Sequence, residues 1–158
     1  WGGQCSERHV ALNLGHERKT LENMRLKKAF TVMFATEDTM VAADYLGIVS
    51  GLKVEDKVAR SGLMPVRAEM VDAPAFEQLP ITLECRLKSL REESTGEVRV
   101  VGEVVNLSAD ERVLNEKGKV DLGKARLICF DEATLKYRLI GDVVGNAFVE
   151  GNKIRKGQ

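Results

Sequence analysis

The stretch ITLECRLKSLREESTGEVRVVGEVVNL, Ile81 to Leu107, decides the fold. In its first half Ile81, Leu83, Cys85 and Leu87 alternate with Thr82, Glu84, Arg86 and Lys88. That two-residue period predicts a strand over Ile81 to Leu90 with one face in the core and one in water. EESTG, Glu92 to Gly96, is a tight turn, and beyond it Val98, Val100 and Val104 share one face with Gly102 between them. The whole reads as a long antiparallel hairpin.

Upstream, Val10 to Leu14 is a short strand ended by Gly15, and Arg18 to Lys27 is a helix with Leu21 and Met24 at helical spacing. Ala29 to Ala35, rich in β-branched and aromatic residues, is a buried strand. Thr36 is placed to cap a helix that carries Met40, Val41 and Ala43 to Leu46 and stops at Gly47. A second helix, Val54 to Arg60, ends at Ser61-Gly62 with Pro65 beyond. Downstream, Asn115 to Lys124 is a polar, glycine-punctuated surface loop, and Ala125 to Leu139 holds two short apolar runs. The sum is a mainly β (α+β) single domain over residues 1–158: a mostly antiparallel barrel or sandwich with a few short helices.

Composition narrows the function. Lysine plus arginine and aspartate plus glutamate number 24 each, so no net positive field gathers nucleic acid or an anionic membrane. No apolar run approaches the ~20 residues of a membrane span, and no signal-peptide pattern is present. Cys5, Cys85 and Cys129 are odd in number and far apart, which argues against a disulfide framework or a zinc site and fits a reduced cytoplasmic setting. Because the chain opens on Trp1 and passes at once into structure, a preceding segment is expected to be missing.

Few residues suggest catalysis. His9 and His16 have no triad or metal-ligand partner at a telling spacing, and the aspartates show no paired-carboxylate signature. Three stretches suit a ligand instead. WGG, Trp1 to Gly3, lets a flat ring approach the backbone, although an ordinary bulged strand reads the same way. RKTLEN, Arg18 to Asn23, sets polar side chains at a helix start that favours an anion, with capping by Thr20 as the alternative. ADYLGIVSGLKVEDK, Ala43 to Lys57, offers Ser50, Gly51, Lys53 and Lys57 as a phosphate cradle or merely joins two helices. A ring platform with two phosphate sites is what a mononucleotide would require.

Those stretches, with VDAPAFEQLPITLEC, VVGEVVNLSADERVL and the closing YRLIGDVVGNAF, resemble in order and spacing the flavin reductase-like family of FMN-binding split β-barrels, its flavoredoxin branch above all. The resemblance implies a homodimer holding FMN near the subunit interface. Trp1, Gly2, Gly3 and Cys5 would line the ring, while Asn13, Arg18, Thr20, Asn23, Ser50, Gly51 and Lys57 would serve the ribityl chain and phosphate. It further implies an electron carrier or a flavin or ferric reductase, with NAD(P)H as a candidate donor and no side chain acting as nucleophile or base. The alternative is a ligand- or partner-binding barrel that has lost flavin. Two departures stand out: Leu52 occupies a place where relatives often have arginine, and Gly96-Glu97-Val98 replaces a Gly-Asp-His that meets nicotinamide in relatives using NADH.

Overall fold

The computed structural model describes residues 2–155. In chain order, strands β1 (Gly2–Ser6) and β2 (His9–Gly15) precede helix α1 (Lys19–Lys27) and strand β3 (Ala29–Met33). Helices α2 (Met40–Ile48) and α3 (Lys57–Ser61) lead into the small strands β4 (Pro65–Arg67) and β5 (Pro74–Phe76). The long hairpin is β6 (Ile81–Glu92) and β7 (Glu97–Ala109); helix α4 (Leu122–Ala125), strands β8 (Ile128–Asp131) and β9 (Lys136–Leu139), and helix α5 (Asn152–Arg155) complete the chain.

The main sheet is antiparallel throughout in the order β1-β2-β7-β6-β3. Its hairpin turn closes as the residues dictate: the Gly96 N–H donates to the Glu93 carbonyl at 3.1 Å, and Gly96 itself sits at φ 80°, a conformation glycine adopts without a Cβ penalty. α1 lays Leu21 and Met24 on one face of the sheet, against Val10, Phe30, Cys85, Val98 and Val100. Among the described residues no helix is long and apolar enough to cross a membrane.

The alternation of β6 is only half obeyed. Arg86 and Lys88 are exposed, but Thr82 and Glu84, on the same expected water face, are buried. The cause is a second layer of chain. Ala68 and Val71 pack with Ala29 over this end of the strand, and Glu84 accepts the N–H of Met70 at 2.6 Å, the N–H of Glu69 at 3.2 Å and the Nδ2–H of Asn106 at 2.9 Å. A bulge in β7 beside Glu84 leaves Val105 as the extra residue, and Val105 joins the same layer.

Two further expectations shift. Thr36 does not cap α2: it bridges to Leu127, and its hydroxyl and backbone form a closed turn with Thr39, so the helix starts at Met40 and runs past Gly47 to Ile48. The loop from Asn115 is less irregular than expected, because the Asp121 carboxylate accepts the Gly123 and Lys124 N–H groups and starts α4 inside it.

The three cysteines are all free thiols, with Cys5 and Cys129 exposed. Burial, aided by the neighbouring Glu84 charge, pushes the Cys85 thiol up to about 11. A thiol reagent at about pH 8 should therefore titrate two groups rapidly in the native protein and the third only after unfolding; three fast thiols would contradict the buried placement of Cys85.

Candidate functional site

α1 begins without the usual side-chain cap. Arg18 holds the N-cap position in extended conformation and makes no capping bond, while Thr20, whose alternative reading was a cap, lies inside the first turn. The positive end of the helix therefore opens onto a groove instead of onto its own side chain. The groove has a volume of 980 Å³ and lies between β2, the start of α1, the end of α2, and α3. A cavity of this size accommodates a nucleotide-sized ligand.

Two cations converge there. The Arg18 Nη1–H donates to the Gly47 carbonyl at 3.3 Å, and Lys57 Nζ donates to the carbonyls of Leu46 and Val49, each at 3.0 Å. Leu46 and Gly47 belong to the last turn of α2 and Val49 is its C-cap residue, at the negative end of that helix, so both side chains act as C-terminal caps and leave further N–H groups to offer a ligand. Burial first, and then the charge of Arg18, lowers the Lys57 pKa from its usual value. Among the described residues neither cation is ion-paired to a carboxylate, whereas Lys19 beside them is held by Glu22 at 2.6 Å. Two like charges brought together, neither paired to a carboxylate, suit an anion, while Glu55 and Glu97 stand elsewhere in the groove wall.

Six expected ligand residues, Asn13, Arg18, Thr20, Asn23, Gly51 and Lys57, line this one groove. Ser50 does not: its Oγ accepts the Leu52 N–H at 3.3 Å, which makes it a turn former. Gly51 has no positive φ, and a Cβ there would meet Lys19 and Lys57 at an ordinary 3.5 Å, so the position does not require glycine. Lys53 is absent from the described lining, and Leu52 is in it.

The ring platform is partly described. Trp1 lies outside the described residues. Gly2, Gly3 and Cys5 belong to β1, an exposed edge strand beside β2 and outside the groove itself. A Cβ on Gly2 would come within 2.8 Å of the Ala11 carbonyl and closer still to Leu12, while the space beside Gly3 is open. Cys5, beyond the WGG stretch, is the extra residue of a bulge against β2. His9 and His16 are hydrogen-bonded, to Ser6 Oγ at 2.8 Å and to the Gly96 carbonyl at 3.0 Å. No group of potential metal ligands occurs among the described residues.

Sequence reasoning missed Glu55, Phe76 and Glu97 in the groove wall, together with an apolar cleft of 590 Å³ that shares Thr20, Asn23 and Phe76 with it. One signal was available: Leu26 falls off the Leu21–Met24 stripe of α1, and it is indeed exposed.

A family profile described as flavin reductase like domain matches residues 4–129. Among solved structures, the flavoredoxin of Desulfovibrio vulgaris (Miyazaki F) is 31% identical with a TM-score of 0.88, the match covering 96% of this chain and 81% of that one. A flavoredoxin from Methanosarcina acetivorans, 24% identical over 98% of this chain and 81% of that one, has the same fold with a TM-score of 0.88. So does an FMN-binding domain of a flavin reductase-like enzyme from Shewanella baltica OS155, 17% identical over 92% and 77%, at 0.75. No curated protein sequence matches. The profile spans most of the chain and the flavoredoxin at 31% identity matches 96% of it, so the protein belongs to the flavin reductase-like family, in its flavoredoxin branch.

Proposed function

We propose that the protein is an FMN-binding redox protein, a flavoredoxin-like electron carrier or a flavin or ferric reductase, working as a homodimer with the cofactor near the shared interface. The observation that carries this reading is the convergence of Arg18, Lys57 and the uncapped start of α1 on one groove. A phosphate monoester fits that donor set, with cationic N–H groups and backbone amides facing the same space. Membership of the family and the flavoredoxin relative support the choice of flavin.

Bound FMN would supply the redox chemistry, accepting and releasing electrons at its ring. The chain's own residues bind and orient. Arg18 and Lys57 hold the phosphate while staying anchored on α2, Asn13, Thr20 and Asn23 offer hydrogen-bonding groups along the groove, and the open side of β1 at Gly3 gives a flat ring room to lie.

The test is a flavin titration followed by visible absorbance and fluorescence. FMN should bind, and Arg18→Ala or Lys57→Ala should each weaken FMN by roughly 10-fold or more, the worth of one charge-assisted contact, while riboflavin affinity changes little. Riboflavin is the control for damage to the end of α2, since it shares the ring and lacks the phosphate. Equal losses for both flavins would remove these residues from the phosphate, and absence of any bound flavin would overturn the proposal.

The donor is a separate question. At the place where a histidine would meet nicotinamide, Val98 is buried in the core and Glu97 presents a carboxylate to the groove. NADH or NADPH oxidation, followed anaerobically with ferric iron as acceptor, is expected to be slow; brisk turnover would show that no histidine is needed there.

A further inference from the structure

The last stretch of the described chain, residues 141–155, is folded but bare. Among the described residues, every hydrogen bond and ion pair it makes stays within it: Glu150 accepts the Asn146 N–H and pairs with Lys153, which knits the tip into a turn and α5. Yet Val143 is 91% exposed, Val144 101%, Phe148 103% and Ile154 79%. A tip this well organised, with large apolar side chains turned to water, is built to be covered.

The apolar cleft between α1, β3 and the β4–β5 hairpin has the opposite need. Its walls include Met24, Leu26, Phe30, Met33, Val66 and Phe76, and Leu26 stands 77% exposed at its edge. Lys27 at the rim is neutralised by Asp72 at 2.6 Å, but Arg67 forms no ion pair among the described residues. Asp142, at the root of the arm, forms none either. Charge and apolar character are thus complementary.

We infer that the arm of one copy lies in the cleft of a second copy, with Val143, Val144 and Phe148 against Leu26, Val66 and Phe76, and Asp142 facing Arg67. The inference rests on the dimeric flavoprotein reading and specifies its interface. Two-fold symmetry makes the exchange reciprocal, so each partner brings both an open cleft wall and five large exposed arm side chains, Val143, Val144, Phe148, Val149 and Ile154, toward the ~800 Å² per partner that a stable interface needs. The arm then lies beside Thr20, Asn23 and Phe76, which line both cleft and groove, so the partner closes one end of the cofactor groove.

Full-length chains in a Cys5→Ser, Cys129→Ser background test this directly. One preparation carries Val144→Cys, the other Leu26→Cys, and they are mixed under mild oxidation. A covalent dimer forming only in the mixture is expected. A chain carrying both cysteines that closes an internal disulfide, or a mixture that stays dimeric without cross-linking, overturns the inference. In sedimentation, Val144→Asp with Phe148→Asp should weaken dimerisation at least 10-fold; unchanged dimer mass, or a monomeric parent chain, overturns it as well. Both positions are exposed, so folding is preserved, and circular dichroism checks it. FMN absorbance of the parent chain in the same runs separates the two readings: a yellow monomer sinks the arm and keeps the flavin, and a colourless cross-linked dimer does the reverse.

Discussion

Glu84→Leu is expected to lower the free energy of unfolding by about 3 kcal/mol, because it strands the hydrogen-bond donors that now converge on a buried carboxylate. Glu84 is 2% exposed and accepts from Met70, Glu69 and Asn106. Removing it leaves those donors without an acceptor and unpins the loop over β6. For a domain of this size the melting temperature should fall by roughly 6–12 °C. Asp72 and Ala73 of the same loop line the cleft, so loosening it should also be felt there. Chemical denaturation measures the effect, and a loss under about 1 kcal/mol would show that the carboxylate is not the hub of this layer.

The same group predicts a pH dependence. Burial alone would raise the Glu84 carboxyl, but the N–H of Met70, then Asn106 and the N–H groups of Glu69 and Val71, outweigh it and hold the pKa below the usual value of a glutamate. A depressed carboxyl contributes stability that is fully present above the unfolded-state pKa and is lost as pH falls through the lower native value. Wild-type stability should therefore drop more steeply than that of Glu84→Leu below about pH 4.5, and parallel profiles would contradict the assignment.

The second large effect is expected at Gly102, where alanine should cost about 3 kcal/mol by overpacking. A Cβ there would come within 2.7 Å of Phe30 Cε1, closer still to Phe30 Cζ, and 3.1 Å from Cys85 Cβ. Neither neighbour can give way, since Phe30 is 5% exposed and Cys85 fully buried. Adding Phe30→Leu should make room, so the double variant should be at least about 1 kcal/mol more stable than the two separate losses predict. Strict additivity would mean that the strain lies elsewhere. Phe30 also lines the cleft, and this glycine, by admitting the Phe30 ring over β7, therefore helps set the cleft's depth.

Local signals were read well where one residue's neighbours along the chain decide its state. The hairpin from Ile81, its turn at Gly96 and the helix carrying Leu21 and Met24 all form as the periodicities require. Misreadings came where a distant segment intervened. Thr36 has the residues of a helix cap around it, yet Leu127 claims it for a bridge. Glu84 has the position of a solvent-facing residue, yet the loop from Ala68 to Ala73 covers it.

The candidate site divides the same way. Arg18, Thr20, Asn23 and Lys57 stood out as candidates for an anion because helix starts and basic side chains carry their meaning locally, and all four line the groove. Their union was not, since it depends on the end of α2 folding back until its carbonyls meet Arg18 and Lys57. By itself the sequence determined β2, β3, the long hairpin with its turn, and α1, and it offered candidate ligand groups; these follow from backbone preference and side-chain period. Only the tertiary structure decided which faces are dry, that two cations share one groove without pairing to a carboxylate, and that an apolar cleft and an uncovered apolar arm stand on the same molecule. Burial and electrostatic pairing are properties of surfaces brought together from distant parts of the chain, and no local pattern encodes them.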